Sequence, residues 1–182
     1  ISRKLRSQKV WTILQRSQIM KLLFLSILLC CTTVLAYAQY LQHVQGLLPC
    51  PLCVAQRLAF GLLGLIALIG FTHAPQGIGR RIYGFFMTTV ALLGTIVAAR
   101  HAWLIRYPKS FECGISPEEA FLNALPFATW WPGMFEANGD CANVEWRFLT
   151  LTIPDWSLLT FVSLGAASLY LLIARNHRSR SF

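Results

Sequence analysis

Leu48-Pro49-Cys50-Pro51-Leu52-Cys53 sets two thiols three positions apart. A Cys-x-x-Cys ring is so small that closing it adds almost no fold stability, whereas the same spacing suits reversible thiol exchange. Pro49 and Pro51 supply no backbone N–H and resist helix extension, so the helix that follows is predicted to begin near Cys53. A cysteine at that point faces the positive end of the helix dipole, which stabilises a thiolate. Arg57, four residues later on the same face, adds a full positive charge. On this reading Cys53 is the thiolate of the pair. The plainer role for Arg57 is a snorkelling interfacial charge with its stem along lipid. A charge one turn inside an apolar helix start, with a thiolate as partner, favours the functional role.

Four further cysteines divide into two kinds. Cys30 and Cys31 lie inside a long apolar run, where a thiol behaves as a small buried hydrophobe. Cys113 and Cys141 have twenty-seven residues between them, and on spacing alone a bridge there would staple a long loop. A metal centre built from Cys50, Cys53, Cys113 and Cys141 is disfavoured, because the second half lacks the close pair of a zinc ribbon. Ala99-Arg100-His101-Ala102-Trp103 brings two ionisable groups and an indole to the depth expected for Arg57, and such groups at membrane depth usually have a task. His101 either hydrogen-bonds a carbonyl or, with Arg57, binds a polar headgroup dissolved in the bilayer, such as a quinone carbonyl. Phe121 to Pro132 is aromatic and Pro-broken, too short to span. It is expected to lie at the interface, as an anchor or as a docking surface for a protein partner.

The elements that must hold these groups follow from hydropathy. Of 182 residues, 55% are apolar and 13% charged, against about 25% charged in an ordinary soluble domain. Disorder, collagen-like repeats and a solvated coiled coil are excluded. A bilayer core about 30 Å thick takes roughly 20 apolar residues per helix. Four runs qualify, giving one domain over 1–182 with spans near 22–41, 54–71, 82–101 and 156–174. The fold class is an all-α membrane protein: a four-transmembrane-helix bundle with loops near 42–53 and 102–155, the second containing a short interfacial helix. Neither repeats nor low-complexity segments interrupt this pattern.

Lys and Arg set the orientation. Eleven of them (Arg3, Lys4, Arg6, Lys9, Arg16 and Lys21 before the first span, Arg80 and Arg81 between the second and third, Arg175, Arg178 and Arg180 after the fourth) fall on the side that four spans give to both termini, the inside. All seven acidic residues fall between the third and fourth spans, in the outer loop. The net charge of +9 is therefore a topology signal and not a nucleic-acid footprint, since it follows no folded face. Four cysteines then share the outer side, where an oxidising compartment favours disulfides. Met20-Lys21 and Ala36-Tyr37-Ala38 outline a cleavable signal peptide, but the charge-free run continues to Gln56, and losing the first span would break the even parity.

The chain resembles the DsbB family of bacterial inner-membrane disulfide-forming enzymes. The resemblance rests on Gln42-His43, on Cys50-Pro51-Leu52-Cys53-Val54-Ala55-Gln56-Arg57 as C-x-x-C-x-x-x-R, and on His101 with Tyr107-Pro108 leading to Cys113. It continues through Gly139-Asp140-Cys141-Ala142, Trp146, Phe148-Leu149 and Pro154-Asp155-Trp156. Cys30 and Cys31 are extra to the family's four-cysteine pattern. The resemblance implies both termini in the cytoplasm, two periplasmic loops, and reoxidation of a soluble DsbA-like periplasmic thiol oxidase with electrons passed to membrane quinone, ubiquinone or menaquinone. By position it implies that Cys113 takes the mixed disulfide with the partner and that Cys141 is its bridge mate. Cys50 would exchange with Cys141, Cys53 would contact the quinone, Arg57 would polarise the quinone oxygen, and His101 would line the pocket.

Exchange chemistry supports such an order, because electrons move only where sulfurs meet. A fixed pair at a helix start stays beside a lipid-soluble acceptor, while an outer loop meets a water-borne partner. A close variant serves one specialised DsbA-like partner. A different class is a non-enzymatic scaffold with two static staples, which would show no turnover to lose on mutating Cys53.

Overall fold

The computed structural model describes residues 2–107, 124, 126, 130, 132–135 and 147–173. Cys113, Cys141 and most of the aromatic segment 121–132 lie outside these. The chain is an all-α membrane protein, with four helices long and apolar enough to cross a bilayer. Helix α1 runs Ser2–Gln45, with its apolar part at Gln18–Gln45. Helix α2 is Pro51–His73 and α3 is Ile78–Arg106. A single turn, α4, occupies Pro132–Phe135. Strands β1 (Arg147–Phe148) and β2 (Leu151–Thr152) pair antiparallel and lead into α5, Ile153–Ile173.

The helices overrun the charge-free stretches. In α3, Arg80 and Arg81 lie in the first turn and Arg100 and Arg106 near the last. A charge-free run measures only the hydrocarbon slab, whereas the helix continues into the headgroups, where a charged side chain is tolerated. Helix α2 also starts earlier than expected, at Pro51. Proline fits the first helical position because the N–H it lacks has no intrahelical partner there. Cys50 is the N-cap, its Sγ accepting from the Cys53 N–H at 3.3 Å.

Packing follows chain order. Helix α1 lies on α2, α2 on α3 and α3 on α5, while α1 and α5 barely touch. The α3–α5 seam is built on small residues: a methyl on Gly165 would lie 3.6 Å from Ala91 Cβ, and Gly94 faces the Phe161 ring. Close backbone approach of this kind is how helices associate where lipid is as apolar as leucine. Phe161 stacks on Phe60 of α2 with ring centroids 4.0 Å apart, and Phe24 of α1 seats over Gly70. Outward, Leu62, Leu65, Leu92, Leu93, Ile96 and Val162 are exposed, as a lipid-facing surface requires. The hydroxyls of Thr32, Thr33, Thr88, Thr89, Thr95, Thr160, Ser163 and Ser168 donate to the carbonyl four residues back. Each polar group is thus satisfied without water.

Cys31 is buried in the core facing Gly64, and Cys30 is half-buried beside it. Their replacement together by alanine is expected to cost about 1 kcal/mol of stability and to leave thiol turnover intact. Loss of turnover in a folded Cys30→Ala, Cys31→Ala chain would give these thiols a chemical part.

The start of α5 carries one half of a capping box, the carboxylate reaching back three residues. Asp155 Oδ2 accepts from the Thr152 N–H at 3.1 Å and from Thr152 Oγ1 at 2.7 Å, satisfying groups at the helix start. The other carboxylate oxygen pairs with Arg106 Nη2 at 2.8 Å. The last turn of α3 and the first turn of α5 are thereby fastened together at one rim of the bundle.

Candidate functional site: a dithiol beside an interhelical cavity

Capping places the first thiol. With Cys50 as N-cap and Cys53 in the first turn of α2, the two Sγ atoms lie 3.0 Å apart, both as thiols. Cys50 is buried and Cys53 half-buried. From α3, His101 approaches from behind, its Nε2 3.7 Å from Cys50 Sγ. On the far side of the ring, Nδ1 is 3.1 Å from Gln56 Nε2. Gln56, one turn after Cys53, therefore holds the imidazole against the pair; both side chains are buried.

Arg57 turns the other way, toward α1 and α4. Its Nη1 donates to Gln42 Oε1 at 2.7 Å and to the Met134 carbonyl at 3.0 Å, and Nη2 donates to the Ala38 carbonyl at 3.4 Å. Buried guanidinium is costly unless such acceptors surround it. Arg57 thus ties α2 to α1 and to α4. Five N–H groups on the guanidinium exceed these three bonds.

A cavity of about 420 Å³ fills the seam where α1 and α5 fail to meet. Its walls are mainly apolar: Val34, Leu35, Leu41, Phe60, Phe148, Ile153 and Trp156. Cys53, Arg57, Gln42 and Gln56 bring polar atoms to the same space. The arrangement suits a flat apolar molecule with a hydrogen-bond acceptor, held against Cys53 and Arg57.

Of the expected site residues, the structure brings together Cys50, Cys53, Arg57 and His101. His101 reaches the cavity through Gln56, which lines it, and is not itself one of the lining residues. It stands behind Cys50 on α3, one side chain back from the cavity. Cys113 and Cys141 lie outside the described residues. Sequence reasoning passes over Gln56, whose place one turn from Cys53 is a usable signal, and the Met134 carbonyl, for which there is none.

The family model described as disulfide bond formation protein DsbB matches residues 20–171. The chain belongs to the DsbB family. It is 58% identical over 156 residues to a disulfide bond formation protein B of Nitrosospira multiformis, covering 86% of this chain and 93% of that relative. To the protein of the same name from Nitrosomonas europaea it is 60% identical over 144 residues, 79% of this chain and 88% of that one. To that from an Azoarcus species it is 43% identical over 157 residues, covering 86% and 94%. DsbB membership covers all four apolar helices and the dithiol between the first two.

Proposed function

We propose that this chain is a quinone-dependent thiol–disulfide oxidoreductase of a bacterial inner membrane, with both termini cytoplasmic, which reoxidises a DsbA-like periplasmic thiol oxidase. The observation that carries this reading is the cavity between α1 and α5, which has Cys53 and Arg57 on its wall. Its volume and apolar lining fit a quinone ring with the start of its isoprenoid tail, and an unjoined helix seam is a route from the lipid.

In this reading the partner's two thiols are oxidised as the Cys113–Cys141 bond is reduced by exchange. Cys141 then attacks the Cys50–Cys53 bond at Cys50, releasing Cys53 as a thiolate. Cys113 then attacks Cys141, re-forming the Cys113–Cys141 bond and freeing Cys50, and the Cys50–Cys53 bond re-forms as the resulting dithiol gives up two electrons and two protons. A bound quinone supplies the sink, accepting both. Arg57 donates hydrogen bonds to its carbonyl oxygen and lowers the cost of the thiolate. His101, held by Gln56, keeps Cys50 in place as a positioning residue. Protein couples can differ modestly in potential, since 30 mV corresponds to about 1.4 kcal/mol for two electrons.

The test is anaerobic mixing of the purified protein, a reduced DsbA-type partner and quinone, followed by quinone absorbance. One quinone consumed per partner disulfide formed is expected; partner left reduced with quinone unchanged overturns the proposal. Arg57→Ala is expected to raise the quinone KM roughly ten-fold or more, the effect of removing a charged hydrogen bond of about 1.5–3 kcal/mol. Kinetics unchanged across quinone concentration would remove Arg57 from quinone binding.

A further inference from the structure

Cys50, Cys53 and His101 form more than an exchange pair. One ligand atom from each lies within 4.8 Å of the others, with Sγ–Sγ at 3.0 Å and Cys50 Sγ–His101 Nε2 at 3.7 Å. Tetrahedral zinc with Zn–S near 2.3 Å and Zn–N near 2.05 Å would set those separations at about 3.8 and 3.6 Å. The spacing from the Cys50 sulfur to the ring nitrogen is already met, and Cys53 Sγ lies within 4.8 Å of the same ring. The sulfur–sulfur spacing needs an opening of about 0.8 Å, available by rotation of Cys53, the less buried partner.

We infer that the reduced dithiol and His101 form a three-ligand site for a soft divalent d10 cation, zinc or cadmium. Spacing within the sequence could not reveal it, because the third ligand comes from another helix. Binding forms two metal–sulfur bonds and one metal–nitrogen bond and releases two thiol protons, with no change of oxidation state. Two thiolates cancel the cation's charge, so the ligated centre is neutral, as burial near the membrane demands. Gln56 completes it: with Nε2 ligating, Nδ1 carries hydrogen, and a turned Gln56 amide presents its oxygen as the acceptor, the orienting contact that metal-bound histidines have. The cavity beside Cys53 leaves a route of entry and a fourth position for water. An oxidised pair offers no thiolate, so the site exists only in the dithiol state. A bound cation would hold the pair reduced and halt turnover; that consequence rests on the proposed function, whereas binding itself does not.

The test uses full-length protein in lipid nanodiscs, reduced and freed of reductant under anaerobic conditions, and titrated with cadmium while the thiolate-to-cadmium charge-transfer absorption is read. A background of Cys30→Ala, Cys31→Ala, Cys113→Ser and Cys141→Ser leaves only the pair in question. One cadmium per chain is expected there, none after oxidation or in Cys50→Ser, at least about ten-fold weaker binding in His101→Ala, and recovery in His101→Cys. The His101→Ala comparison is repeated in the otherwise unaltered chain, which decides the matter even where the four-fold background does not fold. Equal affinity with and without His101, or uptake that vanishes with the outer-loop cysteines, overturns the inference. Binding that persists while partner-dependent quinone reduction is absent would sink the proposed function and keep the metal site.

Discussion

Cys53→Ser is expected to reduce quinone-dependent oxidation of the partner by at least roughly a thousand-fold, as loss of a covalent participant does. Serine oxygen closes no bond to Cys50, so on the proposed route the electron pair would have no exit from the protein. Folding should survive. The α2 start is capped by Cys50 Sγ accepting the residue-53 backbone N–H, a contact that the substitution leaves in place, and serine is close to cysteine in size. A folded Cys53→Ser protein should still trap the partner as a mixed disulfide through the outer loop. Turnover that persists would take Cys53 out of the electron route.

Gly84→Leu is expected to be the most damaging change outside the site. Even a methyl on Gly84 would lie 2.8 Å from the Leu172 backbone nitrogen and 3.0 Å from its Cα. Backbone, unlike a side-chain tip, cannot rotate away. Overpacking a tight interior costs about 1–3 kcal/mol, and the larger residue forces α3 and α5 apart along a seam that also carries Ala91 and Gly94. Gly61 is the matched control: no described atom lies within 4 Å of an added methyl, so Gly61→Ala should gain about 0.5–1 kcal/mol of helix propensity. Thermal unfolding in one detergent compares the two. Equal stability of Gly84→Leu and wild type would refute the close approach.

Much of this is legible in the sequence because a bilayer imposes one strong rule, that charge-free runs of sufficient length become helices. The same rule puts Cys50, Cys53, Arg57 and His101 at a common depth. Depth is not azimuth. Nothing in hydropathy says which way a helix turns about its own axis, and so the sequence does not reveal that His101 sits one side chain back from the cavity, bonded to Gln56 of its wall. The hairpin at 147–152 is hidden for another reason. Its two turn residues, Leu149 and Thr150, have φ of 50° and 67°, a conformation usually signalled by Gly or Asn. By sequence Asp155 is one more outer-loop charge, whereas in the fold it caps α5 and binds Arg106.

That rim fastening between Arg106 and Asp155 has a consequence for reach. Cys113 is six residues beyond Tyr107, and Cys141 is six before Arg147, the described residues at the two rims. A fully extended leash of six residues covers about 20 Å. By covalent length alone Cys113 and Cys141 stay within that reach of the rim closed by the Arg106–Asp155 pair, so in the proposed route their encounter with Cys50 would have the effective concentration of a tethered reaction. The fastening would then govern how often the two dithiols meet, although neither Arg106 nor Asp155 carries an electron.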